Sequence, residues 1–71
     1  MTGEQFDLIA RMIRAREPAR SAARLVLVGG FKQADAARAH KMESNALGNA
    51  VRRYREFDRS IREAYGLNGG L

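Results

Sequence analysis

The placing of one proline and one pair of glycines constrains this 71-residue chain more than any other feature. Pro18 disfavours helix at the residue before it and suits the first turn of a new helix. Gly29-Gly30 is placed to end that helix. Between these breaks apolar residues recur every three or four positions, without a convincing alternating pattern. The sequence therefore predicts a small all-α domain of four or five helices.

Capping signals and apolar periodicity predict the first three helices. Helix 1 is expected at about 3–16, because Thr2 and Gln5 have the spacing of a capping box. Its apolar face is expected to consist of Phe6, Ile9, Met12 and Ile13, with Leu8 beside it. Helix 2 is expected at about 18–28 and helix 3 at about 32–40.

The fourth helix has a clear start and an open end. It is expected to begin near Ser44, which is a cap-type residue. It either continues to about residue 65 or breaks near Asp58, which could cap a fifth helix. Gly66 is placed to end the last helix, and we expect residues 66–71 to form a flexible tail. The folded domain would then cover residues 1–65.

The charge of the chain predicts a polyanionic partner. Thirteen Lys and Arg residues against eight Asp and Glu give a net charge of +5, and eleven of the thirteen are arginine. A small, arginine-rich basic domain is typical of proteins that bind nucleic acid. The alternative is a basic protein that its charge merely keeps soluble.

Several function classes are not expected. With no cysteine and one histidine, the chain offers neither a disulfide framework nor the usual ligands of a zinc site. Scattered carboxylates make an enzyme improbable, and we expect no cofactor, metal or small-molecule ligand. No apolar run approaches the ~20 residues of a membrane span, and no signal peptide is evident. We therefore expect a cytoplasmic protein without a membrane partner.

Helices 3 and 4 meet the requirements of a helix-turn-helix. Ala37 supplies a small residue where the two helices cross, and Met42 supplies an apolar anchor for the turn. Lys41 stands where such turns usually have a glycine, which tolerates the left-handed conformation, and His40 stands where an apolar residue is usual. The inner face of helix 4 is expected to consist of Leu47, Ala50, Val51 and Tyr54.

The outer face of helix 4 carries groups that suit the major groove. Asparagine can pair bidentately with adenine, and arginine with guanine. The candidates for base readout are Ser44, Asn45, Asn49 and Arg52. The candidates for phosphate contact are Lys32, Gln33, Lys41 and Arg53. A glycine destabilises the interior of a helix, so Gly48 needs a reason. It indicates that the backbone of helix 4 closely approaches either DNA or another helix.

Further cations and a distal apolar stripe extend these candidates. Five more arginines in the N-terminal part of the chain could touch phosphates, and we expect fewer than half of them to do so. They are Arg11, Arg14, Arg16, Arg20 and Arg24. The stripe along the distal part of helix 4 consists of Tyr54, Phe57, Ile61 and Tyr65. This stripe either packs against helix 1 or forms the surface of a homodimer.

The run of residues 23–37 resembles the TrfB-type plasmid repressors, the KorA-like proteins. The shared positions, at fixed spacing, are Ala23, Arg24, Val26, Leu27, Val28, Gly30, Gln33 and Ala34. A weaker likeness continues through Ala46, Ala50, Val51 and Arg53, and Gln5-Phe6 also fits, so it covers roughly residues 4–57. In size the chain is similar to the short, single-domain, ArdK-like members. The resemblance implies a helical repressor that acts as a dimer on a palindromic operator.

The leading hypothesis is a sequence-specific DNA-binding transcriptional repressor of plasmid genes. The helix starting near Ser44 would enter the major groove of double-stranded DNA. The alternative is a small helical protein–protein interaction module, such as a regulatory subunit or an antitoxin-like domain. A non-specific nucleic-acid binder is a third hypothesis.

Overall fold

The computed structural model describes residues 1–66, which form four α-helices. These are α1 (Gly3–Met12), α2 (Ala19–Leu27), α3 (Gln33–Ala39) and α4 (Ser44–Ala64). No strand occurs in this part of the chain, so the predicted all-α fold is confirmed. The fourth helix continues through Asp58 without a break. None of the four helices is long and apolar enough to cross a bilayer.

The first helix begins where the capping box predicts but ends early. The Thr2 Oγ accepts from the Gln5 amide at 3.1 Å, and the Gln5 Oε1 accepts from the Thr2 amide at 2.9 Å. The predicted end near residue 16 is wrong, because α1 stops at Met12 and Arg14 turns to a φ of 54°. The Ala15 amide then donates to the Ala10 carbonyl at 2.9 Å, which closes the helix end.

Half of the buried apolar core is alanine. The buried residues are Phe6, Ile9, Ala10, Ala22, Ala23, Ala36, Ala37, Leu47, Val51 and Tyr54. Because α2 contributes only Ala22 and Ala23 to this set, the other helices can approach it closely, and α2 contacts all three. The rings of Phe6 and Tyr54 stack at the centre, with centroids 4.4 Å apart and planes at 14°.

The connection between α3 and α4 is tight and anchored. Lys41 adopts a φ of 53°, so it occupies the left-handed position that usually takes a glycine. The Met42 amide donates to the Ala37 carbonyl at 2.9 Å, and the half-buried Met42 side chain packs against the core. His40 is half-buried and lines a cavity with α2 residues, including Leu25.

The last helix ends at the predicted glycine. Gly66 has a φ of 67°, and its amide donates to the Glu63 carbonyl at 3.3 Å. The predicted flexible tail lies, beyond Gly66, outside the described residues.

Candidate nucleic-acid interface

The N-terminal half of α4 has one buried face and one exposed face. Leu47 and Val51 are buried against the core. The four base-reading candidates, Ser44, Asn45, Asn49 and Arg52, are all exposed. Positions 45, 49 and 52 are separated by four and three residues, so they lie along one stripe of the helix. Three of the predicted reading residues are therefore brought together on one accessible stripe, whereas Ser44 lies about 100° around the helix from Asn45, on the side that contacts Gln33.

Gln33 joins the start of α3 to the start of α4. Its Nε2 donates to the Ser44 carbonyl at 2.9 Å and to the Ser44 Oγ at 3.1 Å. Both bonds connect the start of α3 to the first turn of α4 and hold one helix against the other. The Ser44 hydroxyl keeps its hydrogen for a further acceptor, because here its oxygen only accepts. Gln33, predicted as a phosphate contact, thus positions the candidate interface through its amide nitrogen.

Gly48 provides the room for this Gln33 contact. A Cβ atom at Gly48 would lie 2.9 Å from the Gln33 Nε2. Of the two reasons that the sequence leaves open, close intramolecular packing is therefore observed. A glycine one helical turn after Ser44, together with a glutamine opening α3, is the signal that could have revealed this contact.

Asn49 and Arg52 are bonded to each other on the exposed stripe. The Arg52 Nη2 donates to the Asn49 Oδ1 at 3.1 Å. Bidentate pairing with adenine requires both the oxygen and the amide group of an asparagine. The Asn49 oxygen has a second lone pair and its amide nitrogen is not used in this bond, so Arg52 can hold the Asn49 side chain in place while it pairs with adenine.

The remaining phosphate candidates are exposed but separated along the chain. Lys32 directly precedes α3, and Lys41 follows it, so the two lie near opposite ends of a short helix. Arg53 lies on α4 beside a small cavity that Arg16 and Arg20 also line. The Nε of Arg24, a further candidate for phosphate contact, lies 3.2 Å from the Asp7 Oδ1, so this arginine already has a carboxylate partner.

Positive charge is concentrated in the middle of the chain. Residues 14–53 contain nine basic and three acidic side chains, a net +6, whereas the rest of the chain carries −1. Within the described residues, neither Arg52 nor Arg53 forms an ion pair with a carboxylate. The interface candidates thus lie in the strongly basic part of the protein.

The distal stripe is divided between the core and the surface. The structure corrects the inclusion of Tyr54 in a dimer surface, because its side chain is only 1% exposed and stacks on Phe6. Phe57 and Ile61 are half-buried and pack against the core, whereas Tyr65 is 74% exposed.

Two apolar residues of α1 lie beside this stripe. Leu8 is 50% exposed, and Met12, which the sequence placed on the apolar face of helix 1, is 54% exposed. Leu8 and Ile61 line one shallow cavity, and Met12 and Phe57 line another. Exposed residues of α1 and of the distal part of α4 therefore form one apolar surface. The sequence pattern predicted the α4 part of this surface but not the α1 part.

Comparison of the chain with protein-family models, curated proteins and solved structures found no match. Over the residues that the structure describes, no group of three or more His, Cys, Asp and Glu side chains could hold a metal ion.

Proposed function

We propose that this chain is a sequence-specific DNA-binding repressor in which α3 and α4 act as a helix-turn-helix. The observation that carries the proposal is the exposed row of Asn45, Asn49 and Arg52, with the exposed Ser44 beside it, on a helix whose opposite face is buried in the core. Leu47 and Val51 anchor that helix in the core, and Gln33 holds its first turn. Readout needs such fixed geometry, because a base contact contributes only when its donor and acceptor meet the base edge.

The chemistry of the row suits the major groove. An α-helix fits this groove, and each asparagine or arginine contact to a base contributes ~1–3 kcal/mol of discrimination. Lys32, Lys41 and Arg53 would contact phosphates and set the register of the helix on the duplex. Because Arg52 and Arg53 have no carboxylate partner within residues 1–66, binding DNA need not first break an ion pair.

Repression would follow from occupation of a promoter in plasmid DNA. The proposal includes membership of the TrfB-type repressors, action in the bacterial cytoplasm and a palindromic operator. A homodimer would use the surface formed by Leu8, Met12, Phe57, Ile61 and Tyr65. Its two recognition helices would then reach half-sites about one helical turn, ~34 Å, apart.

The test begins with selection of bound sequences from a random duplex library. The enriched duplex and a scrambled duplex of the same composition are then titrated with the protein across a salt series. We expect the enriched duplex to bind at least ~10³-fold more tightly. Both affinities should fall as salt rises, because phosphate contacts release counterions. Equal affinity for the two duplexes would contradict sequence-specific repression.

The exposed Leu8 and Met12 favour a second candidate, a protein–protein interaction module. In this case the apolar surface would be the functional site, and the arginines would serve solubility. Light scattering of the chain alone and with duplex DNA separates the two candidates. Association without any retention of DNA would support the interaction module.

A further inference from the structure

The side chains of Asn49 and Arg52 form a contact that Asn45, on the same exposed stripe, lacks. The Arg52 Nη2 donates to the Asn49 Oδ1 at 3.1 Å, across one turn of α4. The Asn45 side chain forms no hydrogen bond within residues 1–66. Of the two asparagines that are candidates for base readout, Asn49 is therefore the one that a neighbouring side chain holds within the described chain.

The direction of side chains on a helix favours this contact. Side chains lean toward the N-terminus of their helix, so the guanidinium of Arg52 reaches back over the turn that contains Asn49. Glu56 lies four residues after Arg52, at the spacing of an ion pair, but in the less favourable order with the acid nearer the C-terminus. No such pair forms within residues 1–66, although both side chains are exposed. Arg52 bonds to Asn49 instead.

The contact determines which end of the Asn49 amide faces Arg52. An asparagine side chain has a donor end and an acceptor end, and a half-turn of the amide group exchanges the two. A guanidinium group only donates, so it can bond only to the oxygen of Asn49. The NH2 group must then point away from Arg52. The contact leaves both of its hydrogens and the second lone pair of the oxygen for another partner.

Adenine is the base whose major-groove edge matches this arrangement. It presents an N7 acceptor beside an N6 amino donor, whereas guanine presents two acceptors, N7 and O6. The Asn49 NH2 group would donate to N7, and its oxygen would accept from N6. A half-turn of the amide would place the oxygen against N7 and lose both bonds. Holding the amide in one orientation therefore favours adenine, because this side chain need not be ordered on binding.

We propose that Arg52 is a positioning residue for Asn49 and that the two side chains act as one unit that reads an adenine in the major groove. This inference rests on the proposed function, and it names the base that one position of the operator requires. Arg52 uses one of its five N–H donors in the unit, so the others remain for a guanine or a phosphate. Its removal should therefore change the base preference at the position of Asn49 as well as at its own.

The experiment compares Arg52→Met with Arg53→Met, which removes the same charge from the neighbouring residue but keeps the donor to Asn49. The parent protein, these two variants and Arg52→Lys are titrated with the selected duplex and with every single-base variant of it. Asn49→Ala identifies the position that Asn49 reads, and the double variant Asn49→Ala/Arg52→Met completes a cycle. Circular dichroism verifies that all the variants fold.

We expect Asn49→Ala to relax the base preference at one position, where the parent protein prefers adenine. Arg52→Met should reduce the adenine preference at that same position about fivefold. It should have no further effect there when Asn49 is already alanine. Arg52→Lys should retain most of the preference, because an ammonium group also only donates. Arg53→Met should weaken binding of all the duplexes alike, as the loss of a phosphate contact does.

NMR of the side-chain amides in the absence of DNA tests the contact by itself. The Asn49 NH2 group should be ordered in the parent protein and mobile in Arg52→Met. The NH2 group of Asn45 should have the same mobility in both proteins. If the order of the Asn49 group does not depend on Arg52, the positioning role is refuted even where binding is sequence-specific.

The duplex results separate failure of the unit from failure of the proposed function. If Arg52→Met relaxes only a position that Asn49→Ala leaves unaffected, the two side chains read independently, and the inference is wrong while sequence-specific binding stands. A preference for another base at the Asn49 position would also overturn it. If the parent protein prefers no base at any position, the proposed function itself is contradicted, and the reading of adenine with it.

Discussion

The two halves of α4 have similar inner faces and very different outer faces. Residues 44–53 contain no acidic side chain, and Arg52 and Arg53 form no ion pair within residues 1–66. In residues 54–64, by contrast, Arg62 pairs with Asp58 at 3.0 Å and Arg59 pairs with Glu63 at 3.9 Å. Apolar periodicity runs through both halves, so it determines what is buried. The pairing of charges determines what the exposed surface can bind.

Exposed ion pairs one helical turn apart contribute only about 0.3–0.5 kcal/mol each. Their larger consequence in the distal half is neutralisation, because a paired arginine is less available to a phosphate. A neutral surface also lets a second copy approach, whereas two surfaces with the charge of the central segment would repel each other. Leu8 and Met12 lie next to the neutral half. The difference in charge pairing therefore favours the proximal half as the surface for the proposed DNA binding and the distal half as the surface for the proposed protein contact.

The largest expected effect concerns the buried face of the proximal half. Leu47 is fully buried, so Leu47→Ala should lower the free energy of unfolding by about 3 kcal/mol. A domain of this size has only about 4–10 kcal/mol of stability, so much of it would be lost. Ile61→Ala, in the half-buried distal position, should cost about 1 kcal/mol. Urea denaturation followed by circular dichroism measures the free energy of unfolding of both variants. Equal losses of this free energy would show that the core holds the two halves of α4 equally strongly.

Charge removal tests the outer faces directly. Arg52→Gln and Arg53→Gln should each weaken duplex binding about tenfold and reduce the salt slope by about 1 where a phosphate contact is lost. Arg59→Gln and Arg62→Gln change the net charge equally and should have a much smaller effect. Arg52→Gln should also reduce the preference for the selected duplex, because it removes a base contact. Fluorescence anisotropy across a salt series measures the affinities and the salt slopes. Equal effects of the substitutions in both halves would mean that DNA binding depends only on net charge.

Removal of exposed apolar side chains tests the distal surface. The double variant Leu8→Ser/Met12→Ser should raise the dissociation constant of a homodimer about tenfold. Stability should change little, because both side chains are about half exposed. Phe31→Ser is the matched control, since Phe31 is 52% exposed at a different place in the chain. Sedimentation velocity with each variant decides the matter, and a control that dissociates as readily would contradict the assignment of this surface.

Local signals predict much of this molecule because they act over few residues. The capping box at Thr2, the apolar anchor at Met42 and the end at Gly66 are all such signals. The early end of α1 has no signal of this kind, since Arg14 adopts a left-handed conformation that disfavours any side chain. Packing elsewhere in the molecule must compensate for the free-energy cost of this conformation. A pattern of single residues does not reveal such packing.

Parts of the candidate site depend on contacts between distant segments. The bond from Gln33 to Ser44 joins residues eleven positions apart, so helical periodicity cannot reveal it. Tyr54 belongs to the same apolar stripe as the exposed Tyr65, and only the approach of α1 separates the two. The exposure of the four candidates for base readout was predictable, because it follows from the start of the helix and its inner face alone.

The smallest expected effect, at Gly48, separates the two reasons for a glycine in the proximal half. Gly48→Ala gains up to ~1 kcal/mol of helix propensity but displaces Gln33, whose bonds to Ser44 contribute a similar amount. The net change in stability should therefore be close to zero. In a Gln33→Ala background the displaced group is absent, so Gly48→Ala should stabilise the protein by about 1 kcal/mol. Urea denaturation of the four proteins in this cycle measures the difference. If Gly48→Ala abolishes duplex binding in the Gln33→Ala background, where packing no longer requires a glycine, close approach to DNA is the reason for Gly48 after all.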